Sequence, residues 1–532
     1  MLWKGFGGSG PGAAGRRLGS EPSRRRPRSL PRAVATGDGA LVLLAAACVT
    51  AMAAAAVSGI EQTVGYAAAA LMLAPLVAGE YPRLIGVLLA VTANIGFLSD
   101  YFAIKLPNGE SLLELRDLLI VLAVGRGLLA GRERIRGALE NGLISLSCWL
   151  LLLAPVAAIV GILNGGDRLY ILREMFTFLA WSLAPAVAAN LATPRAVRWI
   201  VRCSVWLGLL MAAGLILEVA TNGAVRVVSV SKLELFRGVH RPAADGLLLI
   251  LGATVILLAR FVVEEPRGAR KLGQAAMVAV LLAAGMFSQA RIMILAIAAS
   301  AVTLFALLPA AGRTARRLAN SIGGILVATT AAAATLWLFG GLFGQASTKA
   351  AFLDRYGALT ADDQLHGRRI EVAAAAETWS RSPLLGAGLG VPYREALPGW
   401  TGDPRTSAHN ILAFYAVKMG GLGLVLFLCF CGAGCRSVYR NLVTRKAASS
   451  DGVALGLALL SLMLWAQSGN VFGSIQGLPF AAVIGGALAA HDRLAERRKA
   501  APARAMPGRG ERPASLAGQG LDLGSQPVRS SG

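Results

Sequence analysis

Of 532 residues, 55% are hydrophobic and only 15% charged, and the mean hydropathy is +0.60. Soluble domains carry about 25% charged residues, so this composition excludes an ordinary water-soluble globule and implies a chain built for a bilayer. The 52 Lys+Arg exceed the 29 Asp+Glu for a net charge of +23, but they are spread over tails and short loops. A nucleic-acid footprint would be one contiguous basic face, and no nucleic-acid partner is expected.

In chain order, residues 1–38 form a Gly-, Pro-, Ser- and Arg-rich tail whose composition predicts disorder. The apolar run that follows continues to Ile60, longer than a signal-peptide core of about 7–15 residues, which predicts an uncleaved first span. Residues 39–345 hold eleven apolar segments, at about 40–60, 63–79, 84–99, 117–130, 141–163, 174–192, 199–219, 244–263, 272–288, 292–309 and 322–345. Residues 410–490 add three more, at about 410–433, 452–470 and 474–490, before a second basic tail at 491–532, also expected to be disordered. The expected fold is all-α, a polytopic transmembrane helical bundle of about 12–14 spans.

The positive-inside rule tests this count. With the basic N-terminal tail cytoplasmic, the connections bearing Arg132/Arg134/Arg136, Arg195/Arg198, Arg267/Arg270/Lys271, Arg313/Arg316/Arg317 and Arg436/Arg440/Arg445/Lys446 all fall inside. Both termini are then cytoplasmic, and the longer connections 100–116, 220–243 and 346–409 lie outside. The cysteines Cys48, Cys148, Cys203, Cys429, Cys431 and Cys435 stand at no ligand spacing from histidine. They read as small buried hydrophobes, and no metal is expected.

Connection 346–409 is too long to be a passive link. Within it, RRIEVAAAAETWS (368–380) is rich in helix formers, with Arg368 and Glu371 at i,i+3, and Pro383 should stop the helix. This helix is expected along the membrane surface, with Ala373, Ala376 and Trp379 near the interface. After it come SPLLGAGLG (382–390) and SAHNILAFYAVKMGGLGLVLFL (407–428), where the chain re-enters the bilayer.

An Arg followed by Trp in GRRIEVAAAAETW (367–379), the glycine string SPLLGAGLG (382–390), HN (409–410) opening a span and GGLGLVLFL (420–428) together resemble the O-antigen ligase and polymerase family of bacterial envelope glycosyltransferases. SQAR (288–291) is similar to the short Ser-Arg element such proteins place between two spans. The resemblance covers about 280–430. It implies a metal-independent membrane glycosyltransferase of the GT-C type with no cofactor, and its site in the large outer loop.

Transfer of a glycan from a polyprenyl-diphosphate carrier requires cations for the departing diphosphate and a base for the acceptor proton. Arginine keeps its charge and offers a fork of donors to phosphate, and histidine keeps a neutral acceptor nitrogen near pH 7. Arg291, Arg368 and Arg369 are therefore the candidate diphosphate ligands and His409 the candidate catalytic base; Arg237, Arg241 and Asn410 are candidate substrate contacts. Each also has a plainer reading. Arg291 fits a snorkelling interface arginine, Arg368 and Arg369 fit solvated helix charges, and His409 fits a helix cap. Arg237 and Arg241 fit interfacial anchors, and Asp362/Asp363 read as a helix start in preference to a cation site.

The expected partners are an undecaprenyl-diphosphate-linked glycan donor, a lipid or glycan acceptor and membrane lipids, in a bacterial inner membrane. A polymerase of polysaccharide repeat units shares these motifs. A transporter or flippase would explain the spans equally well, but it predicts internal repeats, and no repeat links the two halves.

Overall fold

A long apolar run in a bilayer can satisfy its backbone only within itself, and it therefore forms helix. The structure, a computed structural model, describes residues 79–93, 104–105, 111–220, 230–236, 239–244, 246–288, 290–311, 330, 362–392, 410–445, 449–467, 471–474 and 477–500. Among them six stretches are long and apolar enough to cross a membrane: Gly142–Leu163, Arg168–Asn190, Pro194–Glu218, Leu247–Glu264, Gly268–Phe287 and Ile411–Thr444. The helical membrane fold expected from the sequence is borne out.

The chain enters with α1 (Tyr81–Thr92), α2 (Leu115–Leu128) and the short α3 (Arg132–Leu139). The next helix, α4 (Gly142–Leu163), starts where Asn141 accepts the Leu143 N–H at 3.0 Å. Asp167 caps α5 (Arg168–Leu179) in the same way, accepting from Leu169 at 2.8 Å. Pro185 has no N–H for the Trp181 carbonyl, and the helix there passes through a 3-10 turn, Ala180–Ser182, into α6 (Leu183–Asn190). Then follow α7 (Pro194–Ala220), α8 (Leu247–Glu264), α9 (Gly268–Phe287) and α10 (Arg291–Leu307), and after these α11 (Asp362–Arg381), α12 (Ile411–Tyr439), α13 (Ser450–Trp465) and α14 (Gly477–Ala500).

Apolar pattern decides which helices are central. Nearly every residue of α8 is apolar and buried, and it packs among α7, α9 and α13. Helix α4 shows one face outward through Trp149, Leu152, Val156 and Ile159, the arrangement of a peripheral helix facing lipid.

Two details depart from an all-helical reading. Antiparallel hairpins occupy the connections expected to be plain loops: β1 (Ile104–Lys105) with β2 (Ser111–Leu113), and β3 (Val230–Phe236) with β4 (Val239–Ala244). In the second, Glu234 faces Arg241 and Leu235 faces His240. Helix α14 also continues to Ala500, well into the tail expected to be disordered from 491, because Asp492 and Arg493 are bonded into the bundle.

Those bonds define one end of the molecule. Ser437 donates to Asp492 at 2.6 Å, Asn441 donates to it at 3.0 Å, and Arg440 and Arg445 pair with it. Arg493 bonds the carbonyls of Arg134 and Ala188. Ser450 donates to Glu264 at 2.7 Å, which also accepts from Arg260 at 2.9 Å and pairs with Arg270. The arginine-dense connections around 132–136, 267–271 and 436–445 thus share one end, which we term the arginine end. Burial alone would raise the Asp492 carboxyl, but hydrogen bonds from His491 and Ser437, with the charge of Arg440, hold it well below the usual carboxylate range.

Candidate active site

At the opposite end, α12 is broken. Gly420 has φ 66° and ψ −164°, a conformation essentially restricted to glycine. The rings of Tyr415 and Phe427 stack with centroids 4.6 Å apart, whereas twelve residues of continuous helix would separate them by about 18 Å. The segment before Gly420 therefore folds back onto the segment after it. The run expected as one span at 410–433 is therefore two helical pieces, a half-helix at 411–419 and a second piece at 421–439, joined at Gly420. The start of the half-helix is tied to the end of α13, with Ile411 N–H donating to Ala466 O at 3.1 Å and Asn410 Nδ2 to Gln467 O at 3.2 Å.

A break of this kind orphans backbone groups, which is costly in an apolar setting. The glycine string supplies the missing partners. Gly421 N–H, which a continuous helix would direct to Val417, donates to Pro383 O at 2.7 Å, and Leu422 N–H donates to Leu384 O at 3.3 Å. The Val417 carbonyl accepts from Ala387 N–H at 2.7 Å. On its other side the loop bonds α4 and α5: Leu389 N–H to Ala157 O at 2.9 Å, Asn164 Nδ2 to Ala387 O at 2.9 Å, and Asp167 N–H to Gly390 O at 3.2 Å.

Such contacts require backbone against backbone. A Cβ on Gly388, at φ 93°, would stand 2.1 Å from the Gly161 nitrogen, and one on Gly420 would stand 2.2 Å from the Leu384 oxygen. The N–H groups of Gly386, Ala387, Leu389 and Gly390 all have protein acceptors. This glycine loop is a clamp that holds the broken helix, not an open phosphate cradle.

Beside the clamp lies an ion pair that sequence reasoning missed. Lys418 is fully buried, with Nζ 3.0 Å from Glu174 Oε1 and donating to Val391 O at 3.0 Å. The second carboxylate oxygen of Glu174 accepts from Gly390 N–H at 2.8 Å. The pair bridges α5, the glycine loop and the half-helix. Only the lone lysine within the apolar run LAFYAVKMGG marked it in the sequence.

Several of the sequence candidates can be placed by their backbone. Helix α9 starts at the arginine end and runs away from it, so Arg291, which opens α10 three residues beyond Ser288, lies at the far end. Helix α13 likewise runs from Ser450 at the arginine end to Ala466, where Asn410 is fastened. Arg241 lies in β4, just before the far end of α8. Arg368 and Arg369 lie on α11, which packs against α12 and buries Glu371 and Ala375 while Arg369 is exposed. Trp379, expected near the interface, donates its indole N–H to Pro383 O at 2.8 Å and so fixes the turn into the clamp.

Asn410 is the N-cap of the half-helix, because its Oδ1 accepts from Leu412 and Ala413 N–H at 2.9 and 3.1 Å. With its Nδ2 on Gln467, its amide is engaged within the protein. His409 and Arg237 lie outside the described residues, and of Arg291, Arg368 and Arg241 only the backbone positions are described. Two cysteines depart from the buried reading: Cys429 and Cys435 are exposed on α12. Cys48 is outside the described residues.

A polytopic helical membrane protein with a clamped, broken helix at one end is the class these features define. The model of a family described as O-antigen ligase matches residues 275–428, from α9 through α10, α11 and the glycine clamp into α12. This match supports the O-antigen ligase family for the chain and bears out the resemblance drawn from the sequence. No curated protein sequence matches the chain.

Proposed function

We propose that the protein is an inverting glycosyltransferase that moves a glycan from undecaprenyl diphosphate to an acceptor hydroxyl at the outer face of a bacterial inner membrane, in surface polysaccharide biosynthesis. The observation that carries this reading is that the stretch matched by the family model contains the glycine clamp and the broken helix capped by Asn410, and also carries Arg291, Arg368 and Arg369. Arginine-dense connections resist export, so the clamped end faces outward.

In this mechanism Arg291 and one of Arg368 and Arg369 hold the diphosphate. His409, attached to the fixed cap Asn410, accepts the acceptor's proton as its oxygen bonds to the anomeric carbon. The bond from that carbon to the diphosphate breaks, and the oxygen leaves with the electron pair, its charge met by the arginines. Arg237 and Arg241 contact the glycan. Arginines do here the work of a divalent cation, so no cofactor is required. The acceptor is lipid in a ligase and a second glycan in a polymerase.

The test is transfer by the purified full chain in proteoliposomes with a defined lipid-linked donor and candidate acceptors, in EDTA. Product with inverted anomeric configuration is expected. Activity that vanishes in EDTA and returns with Mg²⁺ would contradict the arginine mechanism, and movement of donor across the bilayer without product would favour a transporter.

A further inference from the structure

At the arginine end, α3, α4, α12 and α14 surround a cleft of about 790 Å³, with Arg436, Arg440, Arg493 and Arg497 on its walls. Its carboxylates do not balance these cations. Asp492 is shared by Arg440 and Arg445, and Glu496 is bonded by Arg440 at 2.7 Å, which leaves Glu140 on the rim. Arg436 and Arg497 have no ion pair or side-chain hydrogen bond among the described residues. The Nε–H groups of Arg440 and Arg493 are buried without an acceptor. Burial lowers the pKa of Arg493, and the charges of Arg497 and Arg134 beside it lower it further, the signature of cations crowded without enough anions.

The cleft continues into an apolar surface. On α4, Leu146 lines the cleft, and Trp149, Leu152, Val156 and Ile159 follow it at steps of three and four residues, all exposed. On α12, Arg436 and Gly432 line the cleft, and Cys429, Val425 and Leu422 follow at the same steps, also exposed. Such spacing keeps each series on one helix face, and the two helices pack side by side. A cationic recess thus caps an exposed apolar track running along two adjacent helices.

We propose that this cleft binds the headgroup phosphate of an anionic phospholipid, whose acyl chains lie along the exposed faces of α4 and α12. The phosphate oxygens accept from Arg436, Arg497 and the orphan Nε–H groups of Arg440 and Arg493. The bound lipid bridges α12 to α14 and is separate from the glycan donor, which the opposite end receives.

Native mass spectrometry of the detergent-purified full chain titrated with phosphatidylglycerol or phosphatidylcholine tests the site. Wild type should bind phosphatidylglycerol in preference. The Arg436→Gln/Arg497→Gln variant, which breaks no ion pair of the described residues, should bind it about 30-fold more weakly, at about 1 kcal/mol for each arginine. Should the double variant fail to fold, Arg436→Gln alone should weaken binding about 5-fold by the same scale. Unchanged affinity in the variants, or equal binding of the two lipids by wild type, overturns the proposal. Complete displacement of phosphatidylglycerol by millimolar inorganic phosphate also overturns it, in favour of a free-anion site.

Discussion

The two ends of the bundle are held together by different means. At the arginine end, side chains do the binding: one carboxylate, Asp492, collects Ser437 from the end of α12 and Arg440, Asn441 and Arg445 from the turn that follows it. At the clamped end, backbone groups do it, with the glycine loop completing the hydrogen bonds that the break at Gly420 leaves open. A charge network tolerates shifts of several tenths of an ångström, since long side chains can follow; backbone packed on backbone does not. Both the glycine loop and Gly420 lie within the stretch that the family model matches.

Substitution should expose that difference, beginning with the clamp. Gly388→Val places a branched side chain against the Gly161 backbone, and the loop cannot dock. The expected loss exceeds about 5 kcal/mol, read as failure to recover folded protein, or as a collapsed melting temperature. A variant that melts like wild type would mean that the clamp is not the support described here.

The buried ion pair comes next. Lys418→Met leaves the Glu174 carboxylate without its cation and should cost about 3–5 kcal/mol, whereas Lys418→Met with Glu174→Gln, which removes the charge and keeps an acceptor for the Gly390 N–H, should recover much of that loss. Equal melting temperatures for the single and double variants would show that the lysine acts alone.

Asp492→Asn should cost less, about 2–3 kcal/mol, since Arg440 keeps Glu496 and Asn441 keeps its bond to Ser437. The pH dependence follows from the sign of the shift. The folded carboxyl is held below its unfolded value of about 3.9, so its stabilisation is present above that pH and fades as pH falls further. Wild type and Asp492→Asn should therefore differ at pH 7, and the difference should shrink progressively as pH falls below about 3.9. Parallel melting curves across that range would contradict the assignment.

Much of this architecture was legible in the sequence, and the exceptions share a cause. Apolar runs locate helices because a bilayer leaves the backbone no alternative, and α4, α7, α8 and α9 lie close to where hydropathy placed them. Arginine-dense connections foretold the common end. The break at Gly420 was hidden because GGLG inside an apolar run reads equally as a helix-packing surface, and only the approach of a loop from 382–390 turns it into a hinge. Glu174 and Lys418 lie far apart in the chain, and neither alone signals a partner. The strand β3 does alternate in SKLEL, but a span-by-span reading sets no place for strands in a connection. Among the candidate residues, the type and spacing of Arg291, Arg368, Arg369 and His409 pointed to one compartment. That Asn410 is a cap required the geometry.

The central claim is that the clamped end carries out glycan transfer with His409 as the base. The most direct test is His409→Ala in the reconstituted transfer assay, alongside donor binding and the melting temperature of the same preparation. The account predicts wild-type melting, near wild-type binding of the lipid-linked donor, and transfer slowed by about 10²–10⁴-fold. Transfer within a few-fold of wild type by a variant that folds and binds donor normally would contradict it.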